Sequence, residues 1–414
     1  MLQNNYFFNF FYKKILSLGL IQFINFFITI FLISYLLKLS GPNMWGKFIL
    51  LQIWVSYLGW FCQWSFSLNE LRQVAKNRYK NIELKNIFSE SISIQFFLCL
   101  ISIFLISFFY FLNLIDTSLF GFIGLILIII GHGTQYQWFL NGLELFWQSG
   151  LFPIIQKILI IVFIYFIFSN KIDINHLIFS YGVSSVLVNI IMMLYINFYL
   201  KISFKLIANI RVLNRFKNGL PFFTSSFLSN VRNTIIPIFL GLFHGDTLVG
   251  YFNAIDRIKS LLIQISHPII HAVYPRVSYL LSIKSHKTEL MKKNFLLFSI
   301  IVISPFIFLI MIFPDFVLLN YAGNQFSNIT LELKIISFVS ILTIISEYNL
   351  YQTILAAGLK KLFFLINMIG LVVAVLFSFF LIKYYSLIGA VTTILLFEIF
   401  NIILIYYGPR LYAK

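Results

Sequence analysis

Long apolar runs separated by short polar segments fill almost the whole chain. A membrane-spanning helix needs about 20 mainly apolar residues, and about twelve stretches meet that requirement. The predicted spans are 15–37, 48–68, 91–114, 119–140, 151–169, 177–199, 220–243, 249–280, 295–314, 331–355, 362–382 and 387–407. Because the connecting segments are short, this pattern predicts an all-α polytopic membrane protein without a soluble domain.

The composition agrees with this prediction and excludes several classes of function. Hydrophobic residues make up 60% of the 414 residues and charged residues 10%, whereas a soluble domain carries about 25% charged residues. Cys62 and Cys99 lie in apolar runs and no HExxH motif occurs, so we expect neither a metal site nor a cofactor. The net charge of +17 is spread between the apolar runs, so we expect no nucleic-acid partner.

Lysines and arginines are distributed unequally between the two sets of loops. With the N-terminus inside, twenty basic residues fall on the cytoplasmic side and four on the opposite side. Positive residues favour the cytoplasmic face, so both termini are predicted to be cytoplasmic. The first run, 15–37, is too long for a signal-peptide core and is interpreted as an uncleaved first span.

The second half of the chain resembles the first half in several short blocks. Three matches recur in the same order, at offsets of 204, 215 and 216 residues: Gly46 with Gly250, Tyr136 with Tyr351, and Gly142 with Gly358. Repeats of six spans each restore the same orientation in the membrane and are therefore parallel. We predict two six-helix lobes, 1–205 and 206–414, around a central cavity that holds the substrate of a transporter.

The eighth predicted span, 249–280, carries charges that lipid would not accept, since an unpaired charge at mid-bilayer costs about 3 kcal/mol or more. On a helical wheel, seven of its polar residues share one arc of about 100°. They are Asn253, Asp256, Arg257, Ser260, Gln264, His267 and His271. Lys259 lies about 60° outside this arc. Arg232 lies on the seventh span, whose polar residues also share a face, so these spans are predicted to line a wet cavity.

The same residue types are also compatible with a purely structural role. The polar side chains could join helices through buried hydrogen bonds, with Asp256 pairing locally with Arg257 or Lys259. The histidines could carry protons or serve only in packing. Glu347 and Glu398 are candidates for coupling to an ion, because a buried carboxyl can bind a proton or pair with a cation.

The stretch GDTLVGYFNAIDRIKSLLIQISHPIIHAVYPRVSYL resembles a known family. It is similar to the eighth-span region of polysaccharide transporters, the O-antigen or Wzx-type flippases of the multidrug/oligosaccharidyl-lipid/polysaccharide exporter superfamily. The matching residues are Gly250, Tyr251, Phe252, Ala254, Asp256, Arg257, Tyr274, Pro275 and Arg276. Further blocks resemble the family in the expected order: LSGPNMWGKF, QWFLNGLELF, QTILAAGLKK and IKYYSLIGAVTTILLFEIFN. One departure is the aspartate at 256, where the family usually has glutamate.

The resemblance implies a flippase of the bacterial inner membrane that works by alternating access. Its substrate would be a polyprenyl-pyrophosphate-linked oligosaccharide moved from the cytoplasmic to the outer leaflet, coupled to a proton or sodium gradient. A polysaccharide polymerase and a chain-length regulator are the implied partners. The expected substrate-binding residues are Arg232, Asp256, Arg257, Lys259, Gln264, His267 and His271, with Glu347 and Glu398 as ion-coupling candidates.

Two alternative functions compete with the flippase. An O-antigen polymerase is an enzyme of similar length and composition, but it usually carries one large outer loop, and the longest outer loop here, 315–330, contains no arginine. A multidrug exporter of the same superfamily typically binds organic cations, which the basic residues within the spans disfavour. We therefore expect a transporter of an anionic lipid-linked sugar and no enzymatic activity.

Overall fold

The computed structural model describes residues 2–167, 173–207, 209–283 and 287–412. Within these ranges every regular element is helical, with thirteen α-helices, four π-helical segments and one 3-10 helix. No β-strand occurs in the described part of the chain. The predicted all-helical class is therefore confirmed.

The first seven helices are α1 (Leu2–Gln63), α2 (Leu71–Lys76), α3 (Asn81–Phe111), α4 (Leu119–Gly133), α5 (Gln137–Gly142), α6 (Phe146–Val162) and α7 (Ile174–Leu194). The others are α8 (Ile210–His244), α9 (Asp246–Ser282), α10 (Lys287–Ile312), α11 (Pro314–Tyr321), α12 (Thr330–Asn349) and α13 (Lys360–Tyr412). The π-helical segments are Phe66–Glu70, Phe163–Ile167, Tyr195–Tyr199 and Leu350–Leu355, and the 3-10 helix is Asn324–Ile329.

Nine helical stretches among the described residues are long and apolar enough to cross a membrane. Two of them, Leu20–Gln63 and Lys361–Pro409, have 44 and 49 residues, about twice the length that one crossing needs. Each is broken by a residue with a positive φ angle, 67° at Gly41 and 50° at Ser386. These breaks lie between predicted spans, whereas α9 is not among the nine stretches. The count of twelve spans therefore stays a prediction.

Many large apolar side chains point away from the helix contacts. Phe104 and Phe111 of α3 are 69% and 80% exposed, and Phe308 of α10 is 65% exposed. Water would not favour so much exposed aromatic surface, whereas lipid tails accept it. Together with the apolar stretches, these side chains show a multi-pass membrane protein.

The described helices form two compact units. The first comprises Met1–Leu36 and Leu51–Phe227, and the second comprises Leu37–Leu50 and Leu228–Lys414. Both α1 and α8 therefore contribute residues to both units. The assignment of lobes to 1–205 and 206–414 stays a prediction.

An aromatic stack in the first unit holds the beginning of α8 against the end of α1. The Trp64 ring is stacked on Phe216 and on Phe223, with ring centroids 4.2 and 4.4 Å apart. The indole N–H of Trp64 also donates to the Phe216 carbonyl oxygen over 3.0 Å. A buried tryptophan gains most when its ring is packed and its N–H has an acceptor, and Trp64 has both.

In the second unit, α12 packs against α9, α10 and α13. The hydroxyl groups of Ser337, Ser340 and Thr343 on α12 donate to backbone carbonyls four residues earlier in the same helix. Such bonds satisfy a hydroxyl in an apolar environment without a partner on another helix. The side chain of Gln352 instead donates to the Ile270 carbonyl of α9 over 2.8 Å.

Gly46 of α1 and Gly250 of α9 allow two helices of the second unit to touch along their backbones. A Cβ atom on Gly46 would lie 2.8 Å from the Gly250 nitrogen, and a Cβ atom on Gly250 would lie 2.8 Å from the Pro42 carbonyl carbon. Nearby, the Asn43 amide donates to the Thr247 hydroxyl over 3.1 Å. Both pairs are 204 residues apart, so positions matched by the internal similarity face each other. Small residues permit this close approach of membrane helices.

We expect Gly46→Ala and Gly250→Ala each to lower the free energy of unfolding by about 1–3 kcal/mol, since the added methyl group would overlap backbone atoms. The unfolding temperature of purified protein in detergent would measure this loss. Gly408→Ala is the matched control, because a Cβ atom there would meet its nearest neighbour at 3.4 Å, an ordinary contact. Equal unfolding temperatures for all three variants would contradict the backbone contact.

Candidate substrate and ion site

The charged residues at the centre of α9 are arranged around one ion pair. Lys259 Nζ lies 2.7 Å from Asp256 Oδ1, and both side chains are partly buried, at 15% and 28% exposure. Of the two local pairings that the sequence left open, the structure therefore contains the one with Lys259. Arg257 is exposed and forms no ion pair with a carboxylate of the described residues. Its charge is available to a ligand.

Glu398 of α13 brings a second carboxyl to Lys259. This side chain is 7% exposed, and the hydroxyl groups of Thr343 and Ser346 of α12 lie near its carboxyl. Lys259 interacts with it electrostatically. Its Oε2 atom has no hydrogen-bond partner within the described part of the chain. Lys259 thus forms an ion pair with the partly buried Asp256 and attracts the buried Glu398 electrostatically.

One polar contact connects α9 to α12 further along. His267 Nε2 lies 3.3 Å from Glu347 Oε2, with side-chain exposures of 44% and 39%. Gln264, about one turn earlier, is exposed on α9. The side chain of His271, which the wheel places on the same arc, lies outside the described residues. The structure therefore brings the candidate Glu347 to the polar face of α9.

Arg232 of α8 is held by neutral groups. Its Nη1 atom donates to Asn367 Oδ1 over 3.1 Å, and its guanidinium carbon lies 5.7 Å from the centroid of the Phe397 ring. An amide and an aromatic face orient a guanidinium without neutralising it. Among the described residues no carboxylate pairs with Arg232, so this charge also stays uncompensated.

Asn253 differs from the other residues of the predicted arc. It is only 8% exposed, and its Oδ1 atom accepts a hydrogen bond of 3.1 Å from the Trp45 indole. The bond joins α9 to α1 within the second unit. Asn253 therefore serves helix packing rather than an open polar face, as the hydrogen-bonding alternative predicted for residues of this type.

A model of one protein family matches residues 11–281, about two thirds of the chain. The family is described as "Polysaccharide biosynthesis protein". The chain belongs to this family. The match spans the first unit and most of the polar face of α9, including Asp256, Arg257 and Lys259.

Two curated proteins match nearly the whole chain. A protein of Escherichia coli (strain K12) named "Putative O-antigen transporter" is 24% identical over 390 residues, covering 93% of each chain. A protein of Shigella dysenteriae with the same name is 24% identical over 395 residues, covering 94% of this chain and 97% of its own.

Solved structures of transporters share the fold. A multidrug resistance MATE family transporter of the MOP superfamily, in its inward-facing conformation, matches with a TM-score of 0.74 and 15% identity, covering 95% of this chain and 98% of its own. The lipid II flippase MurJ, in an inward closed conformation, also matches with a TM-score of 0.74, at 16% identity and with coverages of 95% and 87%. At such identities the likeness concerns the fold alone.

The sequence pattern did not identify partners for Lys157 of α6, but the structure shows polar partners for it in the first unit. Its ammonium group donates to the Thr29 hydroxyl over 2.5 Å and also to the Asn25 side chain. Asn25 and Thr29 share one face of α1 in the sequence pattern, and this polar face could have indicated a partner for Lys157. These two partners are neutral oxygen-bearing side chains, which solvate the lysine.

The sequence pattern missed a buried ionic cluster in the first unit. Arg215 was counted among loop residues, but it lies on α8, where its Nε atom is 2.7 Å from Glu90 Oε2 and its Nη1 atom pairs with Glu70. Glu70 is completely buried and Glu90 is 6% exposed. A carboxylate in such surroundings needs a cationic partner, and one arginine serves both.

The electrostatics of Glu70 follow from this burial. Burial raises the pKa of the Glu70 carboxyl above its usual value, Arg215 and Asn69 partly offset the rise, and Glu90 adds to it. The folded chain therefore holds this proton more tightly than the unfolded chain. The contribution of Glu70 to stability is largest below about pH 4 and is lost as the pH rises through the raised pKa.

We expect Glu70→Gln to remove the loss of stability that occurs when the Glu70 carboxyl ionises with rising pH. Between about pH 4 and pH 8, the unfolding temperature in detergent should fall less for Glu70→Gln than for the wild type. Arg215→Met should lower the free energy of unfolding at neutral pH by about 3–5 kcal/mol, because two carboxylates then lack their partner. Glu289→Gln, which alters a side chain that is 81% exposed, is the control. Identical pH profiles for Glu70→Gln and the wild type would refute the raised pKa of the Glu70 carboxyl.

Proposed function

We propose that this protein is a flippase for a polyprenyl-pyrophosphate-linked oligosaccharide. It would move the lipid from the cytoplasmic to the outer leaflet of a bacterial inner membrane by alternating access, with both chain termini in the cytoplasm. The observation that carries the proposal is the pair of arginines, Arg232 and Arg257, which lack a carboxylate partner among the described residues. Membership of the polysaccharide biosynthesis family and the names of the curated relatives support it.

Arginine suits the pyrophosphate for a geometric reason. Its planar guanidinium donates two parallel N–H bonds to phosphate oxygens, and such charge-assisted bonds are about twice as strong as neutral ones. Arg232 is oriented before ligand binding, because Asn367 and Phe397 hold its guanidinium. Arg257 is exposed and can adapt to the ligand. Asp256 and Lys259, together with Gln264, His267 and His271, would complete the substrate-binding face of α9.

Coupling to a proton or sodium gradient would use the carboxyls around Lys259. When Glu398 is ionised, Lys259 is shared between two carboxylates, and when Glu398 takes up a proton or a cation, Lys259 is left to Asp256. The Oε2 atom of Glu398, which has no hydrogen-bond partner among the described residues, is the position where that proton or ion would bind. Glu347, which contacts His267, is the second candidate for this role.

The two alternatives receive less support. The curated relatives are named as transporters, which favours transport over a polymerase reaction. A multidrug exporter shares the fold, but uncompensated arginines repel the organic cations that such exporters bind. An anionic lipid-linked sugar fits these charges better. A polymerase and a chain-length regulator that act on the flipped lipid are the partners that this function implies.

Deletion of the gene should make the lipid-linked precursor accumulate in the cytoplasmic leaflet, where a membrane-impermeant sugar oxidant added to spheroplasts cannot reach it. A plasmid with the wild-type gene should restore exposure of the precursor. Arg257→Ala at equal expression should lower the rate of exposure by about tenfold or more, because a charge-assisted bond to phosphate is lost. Arg72→Ala, at an exposed position of α2, should behave as the wild type.

Full rescue by Arg257→Ala would remove Arg257 from the site. Single repeat units that are already in the outer leaflet of the deletion strain would indicate a polymerase instead of a flippase.

Glu398→Gln should uncouple transport from the ion gradient, because the amide can neither release a proton nor bind a cation as a carboxylate does. In vesicles that flip the precursor, collapse of the proton gradient and collapse of the sodium gradient would be tested separately. One of these treatments should slow the wild type and leave Glu398→Gln unaffected. Glu289→Gln, at an exposed carboxyl, should keep the wild-type response. If Glu398→Gln responds to both treatments as the wild type does, Glu398 is not the coupling residue. The same test then applies to Glu347→Gln.

A further inference from the structure

A cavity of about 520 Å³ lies within the first unit, inside the range of about 300–1,000 Å³ that is usual for ligand pockets. It lies between the end of the π-helical segment Phe66–Glu70, the helix α2, and the first turns of α3 and α8. Its lining residues are Asn69, Glu70, Gln73, Glu83, Asn86, Glu90, Arg211, Asn214, Arg215, Asn218 and Phe222. None of them belongs to the proposed pyrophosphate site.

The charges of this cavity largely compensate one another. Arg215 pairs with both Glu70 and Glu90, so the buried carboxylates of the wall are already engaged. The lining as a whole has three carboxylates and two guanidinium groups. A phosphate group would meet an excess of negative charge here, and its desolvation would not be repaid. The cavity therefore disfavours the pyrophosphate end of a lipid-linked sugar.

Apart from the charged side chains of Glu83 and Arg211, the remaining hydrogen-bonding capacity of the cavity is neutral. The side-chain amides of Gln73, Asn86, Asn214 and Asn218 form no hydrogen bond with any described residue. Each amide has two N–H donors and a carbonyl acceptor. Asn69, in contrast, donates to Glu70 over 2.9 Å and is already engaged. Four amides that both donate and accept therefore face one concave surface.

This combination matches a sugar. Each hydroxyl group of a sugar donates one hydrogen bond and accepts others, so amide side chains can serve it in both directions, and carboxylates can accept from it. Phe222, which is 38% exposed, supplies the apolar surface that the C–H face of a sugar ring needs. The positive-residue bias assigns this end of the helices to the cytoplasmic side, where the substrate would enter.

From these contacts we infer that the cavity binds the oligosaccharide portion of the substrate, as a neutral, hydroxyl-rich ligand recognised by side-chain amides. This inference rests on the proposed flippase function and adds the location and chemistry of sugar recognition. Specificity for a particular repeat unit then depends on the amide positions rather than on the arginines of the second unit.

The test uses full-length protein in detergent and two probes. The first is the repeat-unit oligosaccharide prepared by hydrolysis of the surface polysaccharide of the source strain, and the second is inorganic pyrophosphate. Calorimetry should show that the wild type binds the oligosaccharide and that Asn214→Ala/Asn218→Ala binds it about tenfold more weakly, after loss of two neutral hydrogen bonds. Gln73→Ala, which removes one amide on α2, should weaken binding by a smaller factor.

Asn81→Ala is the matched control, since Asn81 is an exposed amide at the start of α3 that does not line the cavity. It should bind the oligosaccharide as tightly as the wild type does. Asn214 and Asn218 are exposed on α8, so their variants should keep the wild-type unfolding temperature. An excess of pyrophosphate should not displace the oligosaccharide, and maltose should bind much more weakly than the repeat unit.

Three results would overturn the inference: a wild type that does not bind the oligosaccharide, cavity variants that bind it as the wild type does, or displacement by pyrophosphate. Failure of the proposed function has a different signature, because it would appear in the leaflet assay as normal exposure of the precursor in the deletion strain. Arg257→Ala separates the two further, since it should lose flipping while keeping wild-type affinity for the free oligosaccharide.

Discussion

A charged side chain within a membrane protein must be given a partner or a polar cavity, and this requirement organises both units of the chain. Three solutions recur. Lys157 is solvated by the oxygen atoms of Asn25 and Thr29, Lys259 pairs with Asp256 and attracts Glu398 electrostatically, and Arg215 is shared between Glu70 and Glu90. Each places an ionic or polar interaction between helices whose outer surfaces are apolar. The same interactions therefore fix helix positions and create polar surfaces between apolar helices.

The two units differ in which groups keep hydrogen-bonding or charge capacity for a ligand. In the first unit the arginine of the buried cluster is engaged by two carboxylates, and four amides of the cavity wall keep their hydrogen-bonding capacity. In the second unit Asp256 and Glu347 are engaged by Lys259 and His267, whereas the guanidinium ions of Arg232 and Arg257 have no carboxylate partner among the described residues. A lipid-linked sugar makes two chemical demands, one from hydroxyl groups and one from phosphates. In the proposed function, the chain would meet these demands with different side-chain types.

The helical class, the membrane character and the polar face of α9 could be predicted from the sequence, because periodicity and hydropathy are local properties. The partners could not. A wheel gives directions on one helix, so it placed Lys259 outside the arc, although Glu398 on α13 interacts with it electrostatically. It likewise could not show that Trp45 covers Asn253, or that Arg215, assigned to a loop, pairs with two buried glutamates. Contacts between residues far apart in the chain depend on how the helices pack, which no single segment encodes.

The facing glycines have a consequence for how such a chain can change over time. Gly46 and Gly250 are matched positions of the internal similarity, and each lies against the backbone of the other's segment. Matched positions that touch each other are what a two-fold symmetric contact between identical copies would produce. Neither glycine can be replaced without the other segment moving, so a side chain added at one position requires a shift of the other segment.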